Sequence, residues 1–227
     1  MKRRLADLYV TLAGLALLLA WDLSGLDLAV MRALADDEQG FAWRQHWLTA
    51  QLIHGGGRVA GWLLIGLLAV NVARPLWAGP SRAERWRWLA VTALCLLGVP
   101  ALKQISHTSC PWDLAEFGGW AAYVSHWQFG VGDGGPGRCF PSGHATAAFA
   151  FFSGWFALRE YQPRAARRWL VGVLLLGVVY GVGQTLRGAH FPSHSLWTAW
   201  LCWACCAALM PPRRPALPQP VLHPTDG

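Results

Sequence analysis

Long apolar runs, separated by short polar segments rich in arginine or glycine, set the pattern of this chain. The runs fall at Leu8 to Trp21, Val59 to Trp77, Trp88 to Lys103, Gly143 to Leu158, Trp169 to Leu186 and His194 to Met210. Stretches of about 20 apolar residues match the hydrocarbon thickness of a bilayer. The pattern therefore predicts an all-α, polytopic membrane helix bundle with six transmembrane helices. Met1-Lys2-Arg3-Arg4 resembles the charged start of a signal peptide, but no small-residue cleavage site follows, so the first run reads as an uncleaved span.

The polar segments are less uniform. Asp22 to His54 is mixed; it holds Asp36-Asp37-Glu38 and an amphipathic piece, Phe41 to Ile53, expected to lie along the interface. His54-Gly55-Gly56-Gly57-Arg58 reads as a break before the second span. The longest polar segment, Gln104 to Pro141, contains a glycine-rich turn at Gly130 to Gly137. There is no internal repeat, so residues 1–211 read as a single domain. The Pro-rich tail, 212–227, is expected to be disordered.

Composition narrows the class. Of 227 residues, 54% are hydrophobic and 14% charged, with 15 Trp and a mean hydropathy of +0.30; a soluble domain carries about a quarter charged residues. The net charge of +7 does not form a nucleic-acid surface, because the arginines cluster between apolar runs. They stand at the N-terminus, at Arg82, Arg85 and Arg87, at Arg164, Arg167 and Arg168, and at Arg213 and Arg214. Basic residues favour the cytoplasmic side. Six spans with both termini cytoplasmic put every such cluster there, and His54, Lys103, His144 and His190 then share the outer face. Ionisable groups gathered at one membrane level mark a functional site.

The chemistry centres on Cys139-Phe140-Pro141-Ser142-Gly143-His144, where the polar segment meets an apolar run. Pro141 suits a helix entrance, Ser142 an N-cap, and free N–H groups at a helix start attract anions. His144 can exchange a proton near neutral pH. The plainer reading is a capped helix whose histidine faces water.

Order and spacing resemble the type 2 phosphatidic acid phosphatase family, the lipid phosphate phosphatases. Its middle motif is present in full as Pro141-Ser142-Gly143-His144. Lys103 and Pro111 match the first motif, with Cys110 in place of Arg; His190 matches the third, while Gly183, Gln184 and His194 stand at its Ser, Arg and Asp positions. Gln184 to His194, Cys110-Pro111-Trp112-Asp113 and His54-Gly55-Gly56-Gly57-Arg58 look like a bacterial membrane-associated subgroup.

The resemblance implies His190 as nucleophile, forming a phosphohistidine, and His144 as the acid for the leaving oxygen. It implies phosphate binding by Lys103, the Ser142 hydroxyl, and the N–H groups of Gly143 and His144. Arg187, three residues after Gln184, is expected to replace the missing arginine; Arg58 and Arg138 are further candidates, and snorkelling to the interface is the plainer role of each. His194 takes the orienting position beside His190, with Asp113 as an alternative. His190 and His194 are also spaced like a metal pair, but Pro192 interrupts them and no HExxH glutamate is present. No metal or cofactor is required.

Cys110 and Cys139 are the cysteines of the outer polar segments, so a disulfide between them is expected if that side is oxidising. Cys95, Cys202, Cys205 and Cys206 read as small buried side chains. His46 and His126, among Trp residues, read as interfacial; His54 and His107 are ambiguous.

These readings converge on a metal-independent phosphatase of a bacterial inner membrane, acting on a lipid phosphate or diphosphate at the periplasmic leaflet. The substrates implied by the family include undecaprenyl diphosphate, phosphatidylglycerol phosphate, phosphatidic acid and lipid A phosphates. Alternatives are a lipid-to-lipid phosphotransferase, a lipid-phosphate-binding bundle that has lost the chemistry, and a haem-bearing electron carrier.

Overall fold

The computed structural model describes residues 2–36 and 40–212. The tail expected from residue 212 lies, beyond its first residue, outside the described residues, as do Asp37 and Glu38. Among the described residues the chain is all-α, with two isolated backbone bridges and no strand. Its helices are α1 (Lys2–Leu23), α2 (Leu26–Leu34), α3 (Leu48–Ala73), α4 (Arg82–Gln104), α5 (Thr146–Leu158), α6 (Pro163–Leu186) and α7 (Pro192–Leu209). Four of them, α1, α3, α4 and α6, are long and apolar enough to cross a membrane; α5 is apolar but shorter.

Local sequence accounts for three of the helix starts. Ser81 caps α4 through a reciprocal pair: its hydroxyl accepts from Glu84 N–H at 3.3 Å, and its own N–H donates to Glu84 Oε2 at 2.8 Å. Proline opens α6 and α7, where a missing N–H costs nothing. Large apolar side chains such as Leu63, Leu97, Leu175 and Val178 project from the bundle surface, as lipid-facing positions do.

Two expectations are corrected at α3. The piece ending at Ile53 does not stay outside the spans, and His54-Gly55-Gly56-Gly57-Arg58 does not break the chain. Leu48–Gly55 forms a π-helical segment that runs directly into Gly56–Ala73. Gly57 serves packing instead, since a Cβ there would lie 2.9 Å from Tyr180 Cζ; further along the helix, one on Gly61 would lie 3.5 Å from Ala147 Cβ. Small residues let helices approach where no solvent competes for their backbones.

The main core lies between α4, α5, α6 and α7, with Trp88, Phe151 and Leu158 among its buried members. A second cluster, comprising Met31, Phe41, Leu114, Phe117, Ala121 and Phe191, seats α2 and the segment after α4 against the start of α7. α7 is central, packing against α1, α2, α4, α5 and α6. At the far end from the histidines, Arg159 grips Asp7 through two bonds of 2.6 and 2.7 Å, both groups buried. Such a pair fixes α1 to the end of α5, since either charge alone would be stranded.

Candidate active site

Three segments meet at one end of the bundle: the last turn of α4, the turn before α5, and the link from α6 to α7. Lys103 closes α4, and its Cδ lies 3.7 Å from where a Gly143 Cβ would stand. No carboxylate pairs with Lys103 or Arg58 among the described residues. The helix expected from Gly143 begins at Thr146, so His144 sits in the preceding turn. Ser142 is fully buried and its hydroxyl accepts from Ala145 N–H at 3.4 Å. The N–H groups of Gly143 and His144 donate to no protein acceptor among the described residues.

The start of α7 ties these pieces together. Ser142 N–H donates to the His194 carbonyl at 3.1 Å, and Thr198 Oγ1 donates to the Ser142 carbonyl at 2.9 Å. Trp112 N–H donates to the Gly188 carbonyl at 3.0 Å, joining the first-motif segment to the third. Gly188 has a φ of 69°, and a Cβ there would run into the Phe41 ring at 2.1 Å, so this tight link requires glycine. Cys110 and Cys139 form a disulfide with Cα atoms 5.2 Å apart, linking the first and middle motifs.

The rings of His144 and His190 face each other with centroids 5.8 Å apart. His190 Nδ1 lies 3.4 Å from His194 Nδ1 and 3.4 Å from Cys139 Sγ. With Nδ1 engaged, Nε2 is the nitrogen left for other chemistry. His190 is 1% exposed; burial first, then the neighbouring His194, Lys103 and His144, hold its pKa well below the ordinary histidine value. His144 is pushed down to about 3, by burial first and then by His54, Lys103, Arg187 and Arg58. Its Nδ1 is buried with no hydrogen-bond partner among the described residues. Both rings therefore favour the neutral form, amid fixed positive charge.

Arg187 belongs to this charge. It donates from Nε to the Arg44 carbonyl at 3.0 Å and from Nη1 to Gln184 Oε1 at 3.3 Å, and it lies over the Trp112 ring. Burial and then Arg44 lower its pKa. Arg58 follows His54 by one helical turn on α3, with its charge felt at His144. Arg138 takes a left-handed backbone (φ 55°) and lines a separate polar cavity of about 450 Å³ with His107 and Gly132 to Gly137; none of the site imidazoles borders it. Asp113 does not reach His190, and its carboxylate instead accepts from Trp112 Nε1 at 3.1 Å.

Several partners were ambiguous in the sequence or gave no signal there. The His54 ring lies tilted by 45° against His144 with centroids 4.1 Å apart, placed there by the π-helical segment. Arg44 lies 4.7 Å over Trp112, beside Arg187. Asp27 accepts from Ser193 N–H at 3.0 Å and from the Ser193 hydroxyl. His126, expected at the interface, is instead stacked on Phe140 at 4.2 Å and bonded to Asp22 at 3.2 Å. His46 does lie between Trp43 and Trp47.

Cys139, His190 and His194 place three donor atoms within 4.8 Å of one another. Cys139 Sγ is bound to Cys110, so it offers no thiolate. The imidazoles turn their Nδ1 atoms toward each other, as a hydrogen-bonded pair does.

Comparison with known proteins agrees with this geometry. A family model described as PAP2 superfamily matches residues 85–214, more than half of the chain and all three motif segments. No curated protein and no solved structure matches. The imidazole pair, the unpaired lysine and this match lead to one conclusion: the chain belongs to the PAP2 superfamily, whose members are phosphatases acting on phosphate esters.

Proposed function

We propose that the protein hydrolyses a lipid phosphate or diphosphate at the periplasmic leaflet of a bacterial inner membrane, through a phosphohistidine. The observation that carries this reading is the facing pair His144 and His190 beside the uncompensated charge of Lys103. Six crossings, with α5 and α7 completing the set, keep both termini and the arginine clusters cytoplasmic. The apolar helices suit a substrate whose ester oxygen carries a hydrocarbon chain.

His190 attacks through Nε2 while its Nδ1 proton is held by His194. The attacking nitrogen bonds to phosphorus as the P–O bond to the lipid breaks. His144 gives a proton to the leaving oxygen, and then takes one from the water that hydrolyses the phosphohistidine. Burial and the surrounding cations favour the neutral ring of His144, but a phosphoryl dianion opposes those cations and favours the charged imidazolium. Lys103, Arg187, Arg58 and the N–H groups of Gly143 and His144 balance the charge on the phosphoryl oxygens. The Ser142 hydroxyl caps the turn that presents those N–H groups.

The test is phosphate release from a panel of lipid phosphates and diphosphates in mixed micelles. Wild type releases phosphate, while His190→Ala and His144→Ala lose at least a hundredfold. Equal release from all three proteins would end the proposed mechanism.

A further inference from the structure

α7 begins without a cap of its own. Its N-cap residue is Phe191, which has no side-chain acceptor, and Pro192 has no N–H to donate. The first orphan donor of the helix is therefore Ser193 N–H. It is satisfied from another helix altogether: Asp27 Oδ1, on α2, accepts it at 3.0 Å, and Asp27 Oδ2 accepts from the Ser193 hydroxyl. Trp21 Nε1, on α1, donates to the same Asp27 Oδ1 at 2.8 Å and sets the carboxylate in place. A carboxylate at this end of α7 also faces the positive pole of the helix.

We infer that Asp27 is a positioning residue for the reaction, acting through Ser193 as a cap supplied in trans to the helix that carries the catalytic geometry. Ser193 lies between His190 and His194. The His194 ring meets His190 Nδ1, and the His194 carbonyl accepts from Ser142 N–H in the middle motif. Clamping Ser193 thus fixes the ring that orients the nucleophile and the backbone that seats the opposite motif. Orientation of His190, given in the family pattern to one aspartate, is here divided between the His194 ring and a carboxylate on α2. Asp27 lies outside the matched residues 85–214, so the family match assigns it nothing.

A second carboxylate reinforces the same corner. Asp22 Oδ2 accepts from Trp197 Nε1 at 2.8 Å and from Trp127 Nε1 at 3.1 Å, and pairs with His126 Nε2. Trp197 is one turn along α7 from Ser193. The α1–α2 corner therefore holds the first turns of α7 at two points, and only Asp27 engages the catalytic segment itself.

The inference rests on the phosphatase reading for its kinetic consequence but not for its structural one, and the experiment separates the two. Full-length protein carrying nitrogen-labelled histidine is compared in micelles as wild type, Asp27→Ala, Asp27→Asn and Ser193→Ala. The signals of His190 and His194 are identified by their loss in the His190→Gln and His194→Gln variants. Asp27→Ala shifts both signals and leaves that of His46 in place; Asp27→Asn, whose amide still accepts from Ser193 N–H and donates to the hydroxyl, leaves all three near wild type. In phosphate release from micellar phosphatidic acid, Asp27→Ala lowers kcat at least tenfold with KM within twofold, Asp27→Asn keeps most of kcat, and Ser193→Ala falls between. Unmoved His190 and His194 signals in Asp27→Ala overturn the inference, as does equal loss of kcat in Asp27→Ala and Asp27→Asn. Shifted signals in a protein whose wild type releases phosphate from no member of the panel of lipid phosphates and diphosphates uphold the positioning role and refute the phosphatase reading.

Discussion

Arg187 donates to Gln184 across 3.3 Å, one helical turn apart at the end of α6. The family's arginine position is occupied by Gln184, which is buried and keeps its Nε2 without a partner. A guanidinium thus stands beside the place where the sequence lacks one. Its Nε is anchored on the Arg44 carbonyl, which aims the fork.

Arg187→Ala is expected to lower phosphate release by about a hundredfold, in line with the loss of a charged donor to a transferring phosphoryl group. Arg187→Lys should recover only part, because an ammonium cannot reproduce two parallel bonds. Steady-state kinetics of both variants check this. Wild-type kcat/KM in Arg187→Ala would return Arg187 to a surface role.

Reduction of Cys110–Cys139 is expected to loosen the first motif from the middle one. The bridge closes a separation of 29 residues, for which chain entropy gives about 3–4 kcal/mol. Melting of the detergent-solubilised protein should fall by several degrees with a reductant, and the Cys110→Ala/Cys139→Ala variant should be insensitive to it. Identical melting with and without reductant contradicts this expectation.

Stability should weaken in acid. His144 and His190 have pKa values below the ordinary 6.5 in the folded chain, His144 at about 3. The unfolded chain therefore takes up protons first as pH drops below 6.5. Stability from these groups is complete above that value and is lost downward through the window. Each group costs about 1.4 kcal/mol per pH unit there. Melting temperatures measured from pH 8 to pH 4 should decline below about 6.5, with a shallower slope in His144→Gln.

Asp7→Asn should destabilise the protein by about 3–5 kcal/mol, since it leaves Arg159 buried beside a neutral partner. Replacing both residues by apolar side chains should cost much less. Thermal unfolding of the single and double variants decides between an essential ion pair and an incidental one.

The parts of the molecule that were legible in advance are those governed by local rules. Hydropathy marked α1, α4 and α6 because a span must be apolar over its whole length. Pro141 to His144 and His190 were legible because their chemistry restricts residue type. The helical course of His54 to Arg58 was not, because glycines break helices in water, whereas here Gly57 lets the Tyr180 ring close against the helix. Asp27 and Asp22 gave no signal either. A cap normally sits beside the helix it serves, whereas Asp27 is 166 residues from Ser193. His126 looked interfacial for a similar reason: its partner Asp22 is 104 residues away.

Position 194 has two separable duties. Its ring meets His190, while its carbonyl accepts from Ser142 N–H, a bond that any amino acid there can make. A change of side chain at this position would therefore spare the backbone seat of the middle motif and act on His190 and on the Phe140 and Phe191 rings packed against the imidazole.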